Sequence, residues 1–289
     1  MLYTIRNDKM TVLIDSCGGE LMSILGSNGT EYLWQGDERY WKKRAPHLFP
    51  VVGRLTEGVC TLDGVKCAMD THGFFKWHEM EAVSLENSSI TFRMNSDEET
   101  LLQYPRAFEI LLTYQLEGCN IIVQLKIRNQ DKRVMWFGYG AHPGFRVPLQ
   151  RDLNFEDYYL EFENSDLLRV GMSKSCFVEG SDQLFKLEGR RFKLKHSLFD
   201  NDVIVLKNVG DKIKLATEKD NKSVTVSFSE MPYAGLWHAP NTDAPYVCIE
   251  PWASLPSRQG IIEELSGNPN MIRLDSNCEK KISWSILLT

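Results

Sequence analysis

The chain has 289 residues, 43% of them hydrophobic and 25% charged, the balance of a soluble globular protein with material for a large core. Its formal net charge is −6, no basic stripe runs along it, and the local cluster Trp41-Lys42-Lys43-Arg44 is short, which argues against nucleic acid as a partner. No apolar run is long enough to span a membrane, and Met1–Asp8 lacks the apolar core of a signal peptide.

In chain order, turn signals and alternation dominate. Asn28-Gly29 joins Leu21–Leu25 to Glu31–Trp34, and Asp63-Gly64 joins Val59–Leu62 to Val65–Ala68. Both read as β-hairpins. Ile110, Leu112, Tyr114 and Leu116 alternate with polar residues, and so do Ile121, Val123, Leu125 and Ile127 after Glu117-Gly118-Cys119-Asn120. That is a third hairpin. The same period recurs at Val224, Val226 and Phe228 and at Ile282, Trp284 and Ile286, so the last strand reaches almost to Thr289. Helical periodicity is scarce, and only Gly260–Leu265 has room for a turn or two. No linker, charge run or repeat divides the sequence. The expectation is an all-β fold, one large antiparallel β-sandwich domain spanning residues 1–289. Seven cysteines without a Cys-x-x-Cys pair point to reduced thiols in a cytoplasmic protein.

Three separated segments carry residues able to move a proton: Thr71-His72-Gly73-Phe74, Gly140-Ala141-His142-Pro143-Gly144-Phe145 and Cys248-Ile249-Glu250-Pro251-Trp252. His142 and Glu250 each precede a proline, which favours extended backbone. Small Ala141 and Gly144 leave space beside the imidazole. The apolar neighbours of Glu250 require a carboxylate that is paired, with Arg54 or Arg258, or that acts chemically. A general acid and base across one small substrate fits these two residues. His72 reads either as a partly buried histidine bonded to a carbonyl or as a third member of the site. A metal at His72, His78, Glu79 and His142 matches no strong zinc spacing and is set aside.

Arg54, after Gly53 in an apolar stretch, either presents its fork to hydroxyl or carboxylate oxygens or ties two loops together. Asp202 reads as a turn former or a ligand group. Trp34, Trp237, Trp252 and His238 offer flat faces to a sugar ring or simply fill the core. Phosphate loops, dinucleotide fingerprints and nucleophile elbows are absent from the sequence.

Taken in order, Glu31-Tyr32-Leu33-Trp34-Gln35-Gly36-Asp37, Leu48-Phe49-Pro50-Val51-Val52-Gly53-Arg54-Leu55 and the three proton-carrying segments resemble the aldose 1-epimerase (galactose mutarotase) superfamily, closest to its LacX-type branch. The resemblance covers essentially the whole chain. It implies a galactose mutarotase-like supersandwich with no cofactor and no metal. It implies Glu250 as general base, His142 as general acid and His72 as a helper at the ring oxygen. Arg54, Asp202 and Trp237 are the implied sugar-binding positions.

The implied partner is a small-molecule sugar, an aldohexose or a phosphosugar, with neither nucleic acid nor membrane; a homodimer stays open. At neutral pH these roles ask for ionised Glu250 and protonated His142, hence a bell-shaped pH profile. The sequence departs from the family pattern at Phe75-Lys76 and at Ala253-Ser254-Leu255-Pro256-Ser257-Arg258. Lys76, Arg44 and Arg258 are the candidate cations for a phosphate. A sugar-binding protein without turnover is the remaining alternative.

Overall fold

The computed structural model describes residues 1–187 and 189–289. Two antiparallel sheets dominate. The first has nine strands in the order Arg191–Lys193, Tyr158–Phe162, Lys212–Thr217, Val224–Ser227, Glu279–Leu288, Asn120–Asn129, Phe108–Glu117, Ser89–Asn95, Glu81–Leu85. Its three ten-residue central strands bury every second side chain over nearly their full length. Alternating sequence dictates this, because successive side chains leave opposite faces of a strand. Ile110, Leu112, Val123, Leu125, Ile282 and Trp284 thus share one apolar face in the main core. Each such side chain contributes about 1.5–3 kcal/mol on full burial.

The second sheet runs Gln183–Lys186, Asp166–Arg169, Ile204–Lys207, Tyr233–Trp237, Tyr246–Trp252, Gly140–Ala141, His47–Leu48, and Gly144–Arg146 also pairs with Tyr246–Trp252. All seven residues of Tyr246–Trp252 are buried. Val247 and Ile249 enter the main core, whereas Tyr246, Cys248 and Trp252 pack into two smaller clusters on the opposite face. Glu250 shares that opposite face by the period of two. The all-β sandwich expected from the sequence is the fold observed. No helix among the described residues is long and apolar enough to cross a membrane.

Two local expectations need correction. The Asp63-Gly64 hairpin forms as expected, with Leu62 opposite Val65 and both turn residues at positive φ. After Asn28-Gly29, however, Glu31–Trp34 forms no strand, only isolated bridges from Leu25 to Glu31 and from Leu33 to Phe145. The Glu31 carboxylate accepts from the Ile24 and Leu33 amides (2.8 and 3.0 Å), standing in for the ladder. The chain then turns to the other sheet, where Trp34 N donates to Gly144 O at 2.9 Å. Gly260–Leu265 carries no helical turn. The α-helix is Glu98–Gln103, started by Asp97, whose side chain accepts from the Thr100 amide while Thr100 Oγ1 accepts from the Asp97 amide. That reciprocal Asp/Thr cap lacks the Glu or Gln of the usual sequence signature.

Candidate active site

A cavity of about 380 Å³ opens on the outer face of the second sheet. His72, His142, Glu250, Arg54, Asp202 and Trp237, the six residues singled out in the sequence, all line it. They arrive from six separate stretches of chain. Glu250 projects from the buried strand Tyr246–Trp252, and His142 sits between the short strands Gly140–Ala141 and Gly144–Arg146.

His142 Nε2 stands 3.2 Å from Glu250 Oε2. The approach is out of line for a hydrogen bond, and both carboxylate oxygens lack a hydrogen-bond partner among the described residues. Burial raises the Glu250 carboxyl well above its ordinary range, reinforced by Asp202 and opposed by the Trp252 indole. Burial likewise lowers His142, to about 3, and the Lys76 charge acts in the same direction. Burial thus disfavours the charged form of each group in the empty cavity. That direction is opposite to the ionised Glu250 and protonated His142 that the expected acid and base roles ask for. The anticipated arginine partners are also absent from Glu250. Arg258 is engaged by Glu263 at 2.8 and 2.9 Å, and Arg54 donates to Ser175 O at 3.3 Å.

His72 is held on both sides by the Gly53 peptide. Its amide donates to Gly53 O at 2.8 Å, and its Nδ1 accepts from Gly53 N at 2.9 Å. An acceptor Nδ1 fixes the neutral tautomer with the proton on Nε2. Burial, then the charges of His142, Lys76 and Arg54, keep the ring well below the usual histidine range. Gly73 lets this turn exist, since a Cβ there would stand 2.2 Å from Phe49 O. His72 and Asp202 both occupy the left-handed region, at φ 69° and 70°. Such strain costs on the order of 1–3 kcal/mol and concentrates at functional sites. Asp202 Oδ1 accepts from Trp237 Nε1 at 2.7 Å. The adjacent Cys176 thiol is pushed up to about 12 by burial and by Asp202.

Trp41 was hidden within a run read as basic. Its ring lies 4.8 Å from the His142 ring at 31°, while Trp237 meets His142 edge-on at 5.5 Å. Asp37 O accepts from the Trp41 amide at 2.8 Å, and Trp34 Nε1 donates to Trp41 O at 2.9 Å. The sequence signal was Asp37-Glu38-Arg39, a turn whose Asp37 carboxylate accepts from the Arg39 amide. Gly144 leaves room for this ring, since a Cβ there would stand 3.1 Å from it. The space expected beside the imidazole is thus filled by an indole.

The expected cations divide. Lys76 lines the cavity, and burial lowers it to about 8; its ammonium donates to Thr71 O. Lys43 also lines the cavity but is bonded to Glu20 at 2.9 Å. Arg44 reaches Gln35 Oε1 and Met22 O, away from the cavity. Trp34 lies outside the cavity lining as well. His78 faces Asp97 at 3.6 Å, and His238 bonds to Ala239 O and His196, so neither joins the site.

The aldose 1-epimerase family model matches residues 1–263. Two LacX proteins of Lactococcus lactis subsp. lactis, one plasmid-borne and one chromosomal, are each 31% identical over 265 residues, 88% of this chain and 88% of theirs. Among solved structures, a galactose mutarotase related enzyme from Lactobacillus acidophilus superposes with a TM-score of 0.95 at 30% identity, covering 100% of this chain and 97% of that one. A galactose mutarotase-like protein from Lactobacillus casei ATCC 334 gives a TM-score of 0.95 at 30% identity with 100% of both chains covered.

Proposed function

The chain belongs to the aldose 1-epimerase family, and from that premise we propose that it is a mutarotase, interconverting the α and β anomers of an aldohexose by acid–base ring opening and reclosure. The observation that carries this reading is the buried, hydrogen-bond-free Glu250 carboxylate set 3.2 Å from the buried His142 imidazole at the wall of a cavity. One group takes a proton and one gives a proton, and the pair holds the single proton that this exchange needs.

The reaction follows in proton steps. Shifting the shared proton from Glu250 to His142 makes a base and an acid without exchange with solvent. Glu250 then removes the proton of the anomeric hydroxyl while His142 protonates the ring oxygen, and the C1–O5 bond breaks. The aldehyde rotates about C1–C2, and reversal of the proton steps closes the ring on the other face. After ring opening, Glu250 is again a neutral acid and His142 a neutral imidazole. That is the state burial favours, so the low-polarity wall stabilises the open-chain complex relative to the charged pair. His72 Nε2–H, the donor its Gly53 contact leaves over, holds the ring oxygen. Arg54 and Asp202 bind hydroxyls, and Trp237 offers an apolar face.

A second reading, a phosphorylated hexose, is favoured by one observation. Lys76 lines the cavity with no carboxylate in salt-bridge contact among the described residues. Magnetisation-transfer NMR on glucose, galactose and their 6-phosphates tests both readings. Acceleration of anomer exchange that is lost in Glu250→Gln and His142→Ala supports the mutarotase, and the sugar most accelerated assigns the class. Sugar binding without acceleration would replace both readings by a binding protein.

A further inference from the structure

Behind the acid–base pair stands a third donor that ring opening does not use. Cys248 and Glu250 are two residues apart on one strand, so both side chains leave the same face. The Cys248 thiol, an imidazole nitrogen of His142 and a Glu250 oxygen all lie within 4.8 Å of one another, and all three residues are buried. Neither Glu250 oxygen has a hydrogen-bond partner among the described residues. From this juxtaposition we infer that His142, Cys248 and Glu250 form a site for a borderline or soft divalent cation, zinc or cadmium, entered from the cavity.

Charge supplies the first argument. Once deprotonated for binding, a thiolate, a carboxylate and a neutral imidazole sum to −2, which a divalent ion cancels at a depth where unpaired charge is costly. Donor chemistry supplies the second. Sulfur, imidazole nitrogen and carboxylate oxygen are the ligand types of zinc, and three protein ligands leave a fourth position open. Here that position faces the cavity, where water completes the tetrahedron. Geometry supplies the third. Zinc bonds of about 2.0–2.3 Å place tetrahedral ligands roughly 3.3–3.8 Å apart. The His142–Glu250 contact at 3.2 Å lies just inside that separation, so the pair needs to part only slightly. The three donor atoms already lie within 4.8 Å of one another, and the thiol has one side-chain torsion about which to adjust. Binding releases the thiol proton and the proton of the pair, and nothing is oxidised or reduced. If the mutarotase reading holds, the cation occupies both acid and base and stops anomer exchange until a chelator removes it.

Cadmium titration of the chelator-treated, full-length protein tests the site, read by the ultraviolet thiolate-to-cadmium charge-transfer band. One equivalent should bind and produce the band. Cys248→Ala should abolish the band and weaken binding by more than the ~10–100-fold that outer partners of a metal site typically contribute. Glu250→Gln, nearly isosteric, should weaken binding without disturbing the fold. Cys60→Ala, which alters the two remaining buried thiols, Cys60 opposite Cys67, should leave binding unchanged. A band that survives Cys248→Ala, a band lost in Cys60→Ala, or no band in the wild type overturns the proposal. The band reads binding whether or not the protein turns over sugar, so its failure is distinct from failure of the mutarotase reading. Where anomer exchange is measured as well, Cys248→Ala should remain active and insensitive to cadmium.

Discussion

His47 and His142 are both buried histidines, and burial lowers each to about 3. Their surroundings differ in one respect. His47 Nδ1 meets the Tyr139 hydroxyl at 2.9 Å and Nε2 meets the Tyr114 hydroxyl at 2.6 Å. Tyr114 donates onward to Gly19 O at 2.6 Å, and Trp284 Nε1 donates to Tyr139 at 3.1 Å. The chain of bonds closes inside the sandwich. His142 has aromatic rings beside it, a carboxylate out of line with it and a cavity in front. A buried polar group that is satisfied stiffens the fold, and one left unsatisfied is available to a ligand.

Glu250→Gln tests this contrast with the largest effect. Anomer exchange should fall by roughly 10²–10⁴-fold, the usual worth of general acid–base catalysis. Stability should not fall. A carboxyl whose folded value is raised contributes stability below its unfolded value and loses it as pH rises through the folded value. The glutamine variant should therefore gain on the wild type as pH rises, seen by thermal unfolding. His47→Ala should do the reverse. It strands the Tyr114 and Tyr139 hydroxyls and opens a cavity, costing about 2–4 kcal/mol. Exchange per folded molecule should persist. Equal destabilisation by both substitutions would remove the distinction.

Much of this was legible in the sequence because the signals are local. Period-two rows gave the central strands of the nine-stranded sheet, and Asp63-Gly64 gave its hairpin. Glu250 stood out because a carboxylate among Cys248, Ile249 and Trp252 conflicts with its neighbours unless it has a task. What escaped depends on contacts distant in sequence. Glu31 replaces a strand by side-chain hydrogen bonds, so the Asn28-Gly29 signal overreached. Trp41 reads as one residue of a basic run until Gly144, a hundred residues on, makes room for it against His142. The protonation state of the pair depends on burial from all sides, which no local pattern encodes.

Trp41 sharpens the contrast, since His47 has no comparable indole stacked on it at the cavity wall. On the mutarotase reading, its face, 4.8 Å from the imidazole, stabilises the cationic His142 formed before ring opening. Trp41→Ala should slow exchange about tenfold, the equivalent of ~1.4 kcal/mol within the range of a desolvated cation–π contact. Trp41→Phe should recover part of the loss. Equal loss in both variants would assign the ring to packing alone.

Lys76 probes the outer end of the same cavity with a smaller effect. On the phosphosugar reading, Lys76→Met should raise KM for a hexose 6-phosphate about five- to tenfold and leave the free hexose unchanged. The wild-type KM for the phosphate should climb with salt. It should also rise as pH passes about 8, where Lys76 loses its charge. An unchanged KM would place Lys76 among the solvated cations.

The smallest expected effect is the most discriminating. A histidine of ordinary basicity acting as the acid would put a limb near pH 6.5 into the rate profile. On the proposed mechanism the active species is the pair with one proton, and a second proton adds only as pH nears the lowered His142 value of about 3. For a neutral hexose, kcat/KM in chelated buffer should therefore change by less than about twofold between pH 7 and 5. Stability should not share that plateau. His47 and His142, with folded values lowered to about 3, contribute stability that is present above their unfolded value of 6.5 and is lost as pH falls toward 3. Thermal unfolding should report a decline on the acid side while the exchange rate per folded molecule holds. A rate limb near 6.5 would mean that His142 is solvated in the working protein, and the resemblance between the two histidines would then end at burial itself.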